Sequence, residues 1–405
     1  MAIGQGIRKQ LIGKKQSGLG VPASGASAQI FRRETSQFMM GKDTYENNEI
    51  ASHQMSTGAT HGLRKPTGKL NGVLSPGTYA TLFSSLLRKA WAATTAISSA
   101  ALTIAGSGPT YTVTRSAGDF LAGGVKIGDV VRLTVGTLHA NNINKNLVVV
   151  GVSATVLTVT VLNGTAMQAE GPISGCTVTV QGKKVIVPTS GHTNDYWTFE
   201  EWYADIAQSE AYTDCQVAKA DVGLPGTGNS TANFDFVALD RDLGTASIFT
   251  SPTVETTTPV LSAVNGALVF NGAVVGLVTG ISLSIDGGIS PLGAVVGSNS
   301  SPDTQKGRIK VSGQVTAYYQ DGVIPALFEN STVTNLVAVM SADGSATSKF
   351  LGFTIPALKL MSDSADDGEK GIVRTYQFTG EINSTGGAAL ASDQTIISIQ
   401  DSDAP

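Results

Sequence analysis

Through most of the chain, apolar residues come in alternating or short runs broken by Gly, Asn and Asp turns, which predicts strands. One segment switches to the helical period. In SPGTYATLFSSLLRKAW, the residues Tyr79, Leu82, Phe83, Leu86, Leu87, Ala90 and Trp91 form a single apolar stripe. Ser75 is placed to cap the start, Pro76 suits the first helical position, and Arg88 and Lys89 complement the dipole in the last turn. This helix needs a sheet to cover.

The first 30 residues are rich in Gly, Ser and Lys without apolar periodicity. They read as an arm with no core of its own, either a solvated tail or a segment that orders on a neighbouring subunit. After Ala96 short strands dominate: Leu102–Ile104, Tyr111–Thr114, Val130–Val135, Leu147–Val152, Val156–Leu162, Thr177–Val180 and Val185–Val187, with turns at Gly123-Gly124 and Asn163-Gly164. Residues 98–188 are therefore expected to be a small all-β domain inserted in a loop of a parent fold, which resumes near Gly191. There YWTFEEWYADIA favours a strand by its aromatic content, although Thr198 and Glu201 also have capping-box spacing. Cys215–Val222 and Ala232–Leu239 flank Pro225-Gly226 as a hairpin.

The stretch from Thr256 to Ile285 carries no charge. Asn265-Gly266 and Asn271-Gly272 interrupt it as hairpin turns, and Ile281, Leu283 and Ile285 alternate with Ser282 and Ser284, so it reads as strands and not a membrane span. Asp286-Gly287, Asp321-Gly322, Asp343-Gly344 and Asp367-Gly368 punctuate the remainder. GKLNGVLSPGTYATLFSSLL from Gly68 resembles KVSGQVTAYYQDGVIPALFE from Lys310, setting Lys69 against Lys310, Gly72 against Gly313 and Leu74 against Val315. The shared order of strand, Gly, strand, turn and short helix suggests an internal repeat. The expected plan is mainly β: an arm over 1–30, a first domain from 31–97 and 189–250, the insert at 98–188, a second domain over 251–400, and a tail at 401–405. Each of the two larger domains is expected to set one short α-helix against its strands.

Composition agrees with an all-β chain. Charged residues make up 14% of 405 and Gly numbers 47, which excludes a coiled coil or a disordered chain. A net charge of −4 gives no reason to expect a dedicated nucleic-acid binder. Cys176 and Cys215 match no metal or redox spacing, and the start of the chain lacks the apolar core of a secretory signal. His53, His61, His139 and His192 make no metal signature. His192 and Asp195 lack a nucleophile elbow to complete a triad, and P-loop and GxGxxG motifs are absent. Glu200, Glu201 and Asp205 beside Trp197, Trp202 and Tyr203 are the one carboxylate–aromatic cluster, and they read as packing. Neither an enzyme nor a cofactor is expected. A turn-rich β chain does have sheet edges to hide or to use, and ordered self-assembly uses them.

At this point the segments FRRETSQF, KDTYENNEI, GLRKPTGKLNGVLSPGTYATLFSSLLRKAW and TFEEWYADIAQSEAYTDCQV resemble the major tail tube proteins of long, non-contractile-tailed bacteriophages. The insert's GDFLAGGVKIGDVVRLTV and NNINKNLVVVGV join that resemblance, which runs from about Ser24 to the C-terminus. It implies a β-sandwich contributing one face to a ring-closed barrel, with rings stacked into a virion tail tube, assembled in the host cytoplasm, that conducts DNA. The implied partners are further copies of the chain, a tape measure protein in the lumen, tail terminator and tail-tip proteins, and DNA in transient passage.

Family rings are usually hexamers of single-fold subunits. This chain has about twice the needed length, so trimers with pseudo-sixfold rings are expected, with a hexamer of one enlarged domain as the alternative. The resemblance also implies that a loop from Asp43 to Lys69 packs on the next ring. Arg32, Arg33, Asp43, Arg64, Lys65 and Lys69 would serve assembly there, meeting acids such as Asp363, Asp366, Asp367 and Glu369. A lumen of little net positive charge is expected, since sustained phosphate contacts would slow ejection. The insert would lie outside the tube, decorating it, touching the host or adding bulk. The competing reading, a surface-layer or adhesin-type β protein, shares the composition and the self-assembly.

Overall fold

A computed structural model describes residues 3–50, 52, 53, 55, 58–366, 369 and 371–405. Among the described residues the chain is mainly β, with antiparallel sheets and two short α-helices. The first half contributes β1 (Lys9–Lys15), β2 (Thr35–Glu46), β3 (Ala59–Val73), α1 (Ala80–Leu86), β4 (Trp197–Tyr203), β5 (Gln208–Pro225), β6 (Thr231–Val237) and β7 (Asp240–Gly244). The second contributes β8 (Ser262–Phe270), β9 (Val278–Asp286), β10 (Lys310–Tyr318), α2 (Val323–Glu329), β11 (Thr334–Ser341), β12 (Phe350–Ala365), β13 (Val373–Gly380) and β14 (Ser398–Asp401).

The two sets pair alike. β1–β4, β4–β5, β5–β7, β5–β6, β6–β3 and β3–β2 are all antiparallel. β8–β11, β11–β12, β12–β14, β12–β13, β13–β10 and β10–β9 repeat them element for element. In each half one long strand, β5 or β12, serves two layers, and a register shift lies on it a few residues past the point where it passes from one to the other.

In the first half the layers close on an aromatic core. Phe199 lies 4.8 Å from Phe236 and 5.5 Å from Phe38, and Phe38 lies 5.1 Å from Tyr212. Such ring pairs add roughly 0.5–1.5 kcal/mol each beyond burial.

The predicted helix is shorter than its stripe. Gly77 takes φ +76, so Pro76 and Gly77 form a turn, and α1 begins only at Ala80 with no side-chain cap. Ser75 bonds Thr78 and Thr258 instead. Arg88 at φ +56 ends the helical path. Tyr79, Leu82, Phe83, Leu86 and Leu87 are buried as expected, while Trp91 lies beyond the helix, half-buried, with its Nε1 donating to the Ala80 carbonyl at 2.7 Å.

Three further expectations change. The segment read as an arm supplies β1, which buries Leu11 and Ile12 and pairs with β4 from Lys9 to Lys15. Asn265-Gly266 is a bulge inside β8, since a side chain at Gly266 would strike the Val339 carbonyl. Asn271-Gly272 does make a hairpin turn, with both residues at positive φ. The strand at Lys183–Ile186 pairs with β14 and so belongs to the parent sheet, not the insert. Asp367-Gly368 lies outside the described residues.

The insert forms its own eight-stranded sheet, including strands at Ala96–Ser98 and Glu170–Ser174 that the sequence did not signal. It leaves the first half after Trp91 yet docks on the second. Val130, Val148, Val150 and Leu162 share a core with Val269, Val337, Val339 and Phe350. Gln400 spans the seam, accepting from the Val130 N–H at 2.8 Å and donating to the Gln181 carbonyl at 2.7 Å.

Asp401, nearly buried beside α1, accepts the Gly77 and Asp403 N–H groups, both at 2.8 Å. Burial pushes its carboxyl up to about 6. Its folded-state value thus lies above the unfolded value of about 3.9, so its contribution to stability is greatest below that value and is lost as pH rises through 6. Asp401→Asn removes this dependence. The midpoint of the variant, followed by calorimetry, is expected to rise relative to the parent between about pH 4.5 and 7.5; a constant difference would contradict the assignment.

Candidate assembly site: an eight-stranded sheet with a polar face and two open edges

The halves join edge to edge. Lys219–Pro225 of β5 pair antiparallel with Gly280–Asp286 of β9 over seven register positions. The result is one sheet in the order β2-β3-β6-β5-β9-β10-β13-β12. Its inner face carries Leu70, Phe234, Ala220, Leu283, Val315 and Phe378, all buried. Between them Asn71, Asn233, Ser282, Gln314 and Gln377 point to the other face, as alternation requires.

Charges on this polar face fall in a row across the strands. Lys69 is opposite Asp235, Asp235 opposite Lys219, Lys219 opposite Asp286, and Asp286 opposite Lys310. The signs alternate at each step. Further pairs, Lys219–Asp221 at 2.8 Å and Lys359–Glu381 at 3.6 Å, keep neighbouring charges matched. Exposed pairs contribute only about 0–1 kcal/mol each, but they favour one register in strands otherwise lined by Ser, Thr, Asn and Gln.

Among the described residues, β2 pairs with β3 alone, and residues 359–365 of β12 pair with β13 alone. These are the two outer edges of the sheet. Beyond it β2 and β3 continue as a long exposed hairpin, where a loop was expected, with Tyr45, Ile50 and Met55 exposed toward its tip.

The six residues singled out for assembly do not converge on one patch. Arg32 donates to the Thr258 carbonyl at 2.7 Å and Arg33 to the Lys9 carbonyl, neither of them on the hairpin. On the hairpin Lys65 pairs with Asp43 at 2.7 Å, and Arg64 with Asp240 at 2.5 Å. Lys69 sits in the charge row, 3.9 Å from Asp235. The acids named as their targets include Asp363, which Arg374 pairs at 2.5 Å, and Asp367, which lies outside the described residues. The sheet edges were missed because no residue type marks an edge; the internal repeat was the available signal.

The carboxylate–aromatic cluster is packing. Glu200 is fully buried and accepts from Ser209 (2.5 Å), Ser247 (2.8 Å) and the Ile248 N–H (2.9 Å), while Glu201 pairs with Lys9 at 2.6 Å. Cys176 and Cys215 are buried and unpaired, and burial raises both thiols. Among the described residues no group of three or more His, Cys, Asp or Glu is placed to hold a metal, and no helix is long and apolar enough to cross a membrane.

A family model described as phage tail tube protein matches residues 6–381. A search of curated proteins finds no match.

Proposed function

This chain belongs to the phage tail tube protein family, and from that premise we propose that three copies close into a ring by repeating, between chains, the joint that unites the two halves within one. Membership makes the chain a structural subunit of the virion tail and not an enzyme, acting through self-assembly with other tail proteins.

The carrying observation is the β5–β9 joint. It uses the outer edge of one half's four-strand layer and the first edge of the other's. The equivalent edges left open are β12 and β2. Each copy then supplies two lobes, and three copies make six. The polar face lines the channel, and its alternating charges give passing DNA no line of cations to bind.

Rings stack into the tube of a long, non-contractile tail, the β2–β3 hairpin reaching the adjacent ring with its exposed tip. A tape measure protein occupies the lumen during assembly in the host cytoplasm, and terminator and tail-tip proteins cap the ends.

Electron microscopy of the concentrated protein, with symmetry classification of end-on views, tests this. Threefold rings with six similar lobes are expected. Sixfold rings of identical subunits would overturn the trimer and keep the tube. Closed particles without an axial channel would overturn the tube and favour a surface-layer protein.

A further inference from the structure

The joint between the halves has a second component besides the paired strands. The chain leading into β8 runs back over the first half, where Leu261 is fully buried. Its N–H donates to the Leu74 carbonyl and its carbonyl accepts from the Ser230 N–H, both at 2.9 Å. Just before it, Thr258 bonds Ser75 at 3.1 Å and Thr256 bonds Thr78 at 2.6 Å, covering the approach to α1. Leu261 thereby closes the end of β3 against the start of β6, and behind it six of the seven residues of α1 are buried, Phe83 packing on Phe234 and Phe353.

The equivalent place on the second half is bare. No residue of α2 is buried. The connection between β8 and β9, the end of β10 and the N-terminus of α2 leave an apolar groove lined by Leu277, Tyr318, Tyr319 and Val323, with Ile372 exposed beside it. Burying such a surface is favourable, at roughly 25 cal/mol per Å². The segment that would cover it in the next lobe is the one leading into β1, because β1 is the counterpart of β8. That segment carries Ile3 and Ile7, which are 87% and 91% exposed. It is also placed like its counterpart. Gln5 is held by Asp205 at 2.5 Å, just past the end of β4, as Ser262 lies opposite Ser341 at the end of β11.

We propose that residues 3–8 of one copy seat Ile3 and Ile7 in the groove beside α2 of the neighbouring copy, as residues 256–261 lie over the end of β3, the start of β6 and the turn before α1 within the chain. This rests on the ring reading above. The occupant is a second copy of this chain, because the joint between the halves already shows one half's leading segment lying on the strand ends of the other. The segment locks the ring after the strand edges meet.

Two variants of the full chain test it. Ile7→Cys with Val323→Cys, oxidised under assembly conditions, is expected to give a reducible closed trimer, since both native cysteines are buried. Ile3→Asp with Ile7→Asp is expected to raise the concentration needed for rings roughly tenfold or more, with the melting midpoint of the unassembled chain unchanged. Rings from the aspartate variant at the parental concentration, or oxidised rings without a cross-link, would overturn the proposal and leave the ring standing. A parent chain that stays monomeric at every concentration would remove both.

Discussion

Excising residues 94–181 and bridging Ala93 to Gly182 with a short Gly-Ser link is expected to send the chain into aggregates. The cut itself is geometrically mild, because Ala92 and Ala93 already pair with Lys184 and Lys183. The damage falls far away in sequence, on the second half. β11 is buried on both faces: Leu336, Ala338 and Met340 enter the main core, whereas Val337 and Val339 meet the insert with Val269 and Phe350. Exposing four such side chains forfeits roughly 1.5–3 kcal/mol each, against a typical total stability of about 5–15 kcal/mol. The exposed patch is also a β surface, open to other chains. Size-exclusion recovery of the soluble fraction measures the effect, and Val337→Thr with Val339→Lys in the excised chain is expected to restore much of it. An excised chain that stays dispersed and melts like its parent would show the insert to be a mere ornament. The first-half counterpart, β4, needs no such partner: its corresponding face carries Thr198 and Glu200, bonded to Gln16, Ala23, Ser209 and Ser247.

Lys184→Met is the single substitution expected to cost the most. Its ammonium bonds Asp129 at 2.6 Å and Asp393 at 2.5 Å, and Asp129 is almost wholly buried. The two carboxylates hold the proton on Lys184 more tightly than usual despite burial. Lys126 closes the cluster, bonding the Gly387 and Leu390 carbonyls at 2.7 and 2.6 Å. Four stretches of chain meet there: the insert at Asp129, its inbound and outbound neighbours, and the loop before β14. Removing the lysine leaves two carboxylates without their cation, one of them buried, at a cost of about 3–5 kcal/mol. Chemical denaturation reads this directly. Asp129→Asn added to Lys184→Met is expected to recover part of the loss, because it removes one stranded charge. A midpoint unmoved by Lys184→Met would mean the cluster is hydrated and contributes little.

Local pattern and distant contact explain what the sequence did and did not disclose. The stripe from Tyr79 to Leu87 was legible because apolar spacing reports burial, but its length was not, since a left-handed Gly77 and Arg88 cut the helix at both ends. The repeat showed through the shared order of elements, but its register did not: the strand pairings make Gly68 and Leu70, not Gly72 and Leu74, the counterparts of Gly313 and Val315. β1 was hidden because KQLIGKK looks like a tail until β4 pairs with it along its whole length. The docking of the insert was equally hidden. Val337 and Val339 signal a buried strand, yet nothing in their neighbourhood names the remote partner that buries them. For the assembly site, the alternation of polar and apolar residues was visible, while the order of strands that creates the edges was not.

The row from Lys69 to Lys310 has a consequence for motion along the proposed channel. Charges that change sign at each strand, about 4.8 Å apart, form a grating with a period of about 9.6 Å. The potential above such a grating decays by a factor of e roughly every 1.5 Å, the period divided by 2π. A row of one sign would instead reach out to the Debye length, about 8 Å at physiological salt. One water layer is therefore enough to flatten the corrugation. A polyanion sliding over that layer meets a wall that carries a row of charges yet is electrically smooth, and its drag is set by water and not by ion pairs made and broken at each step.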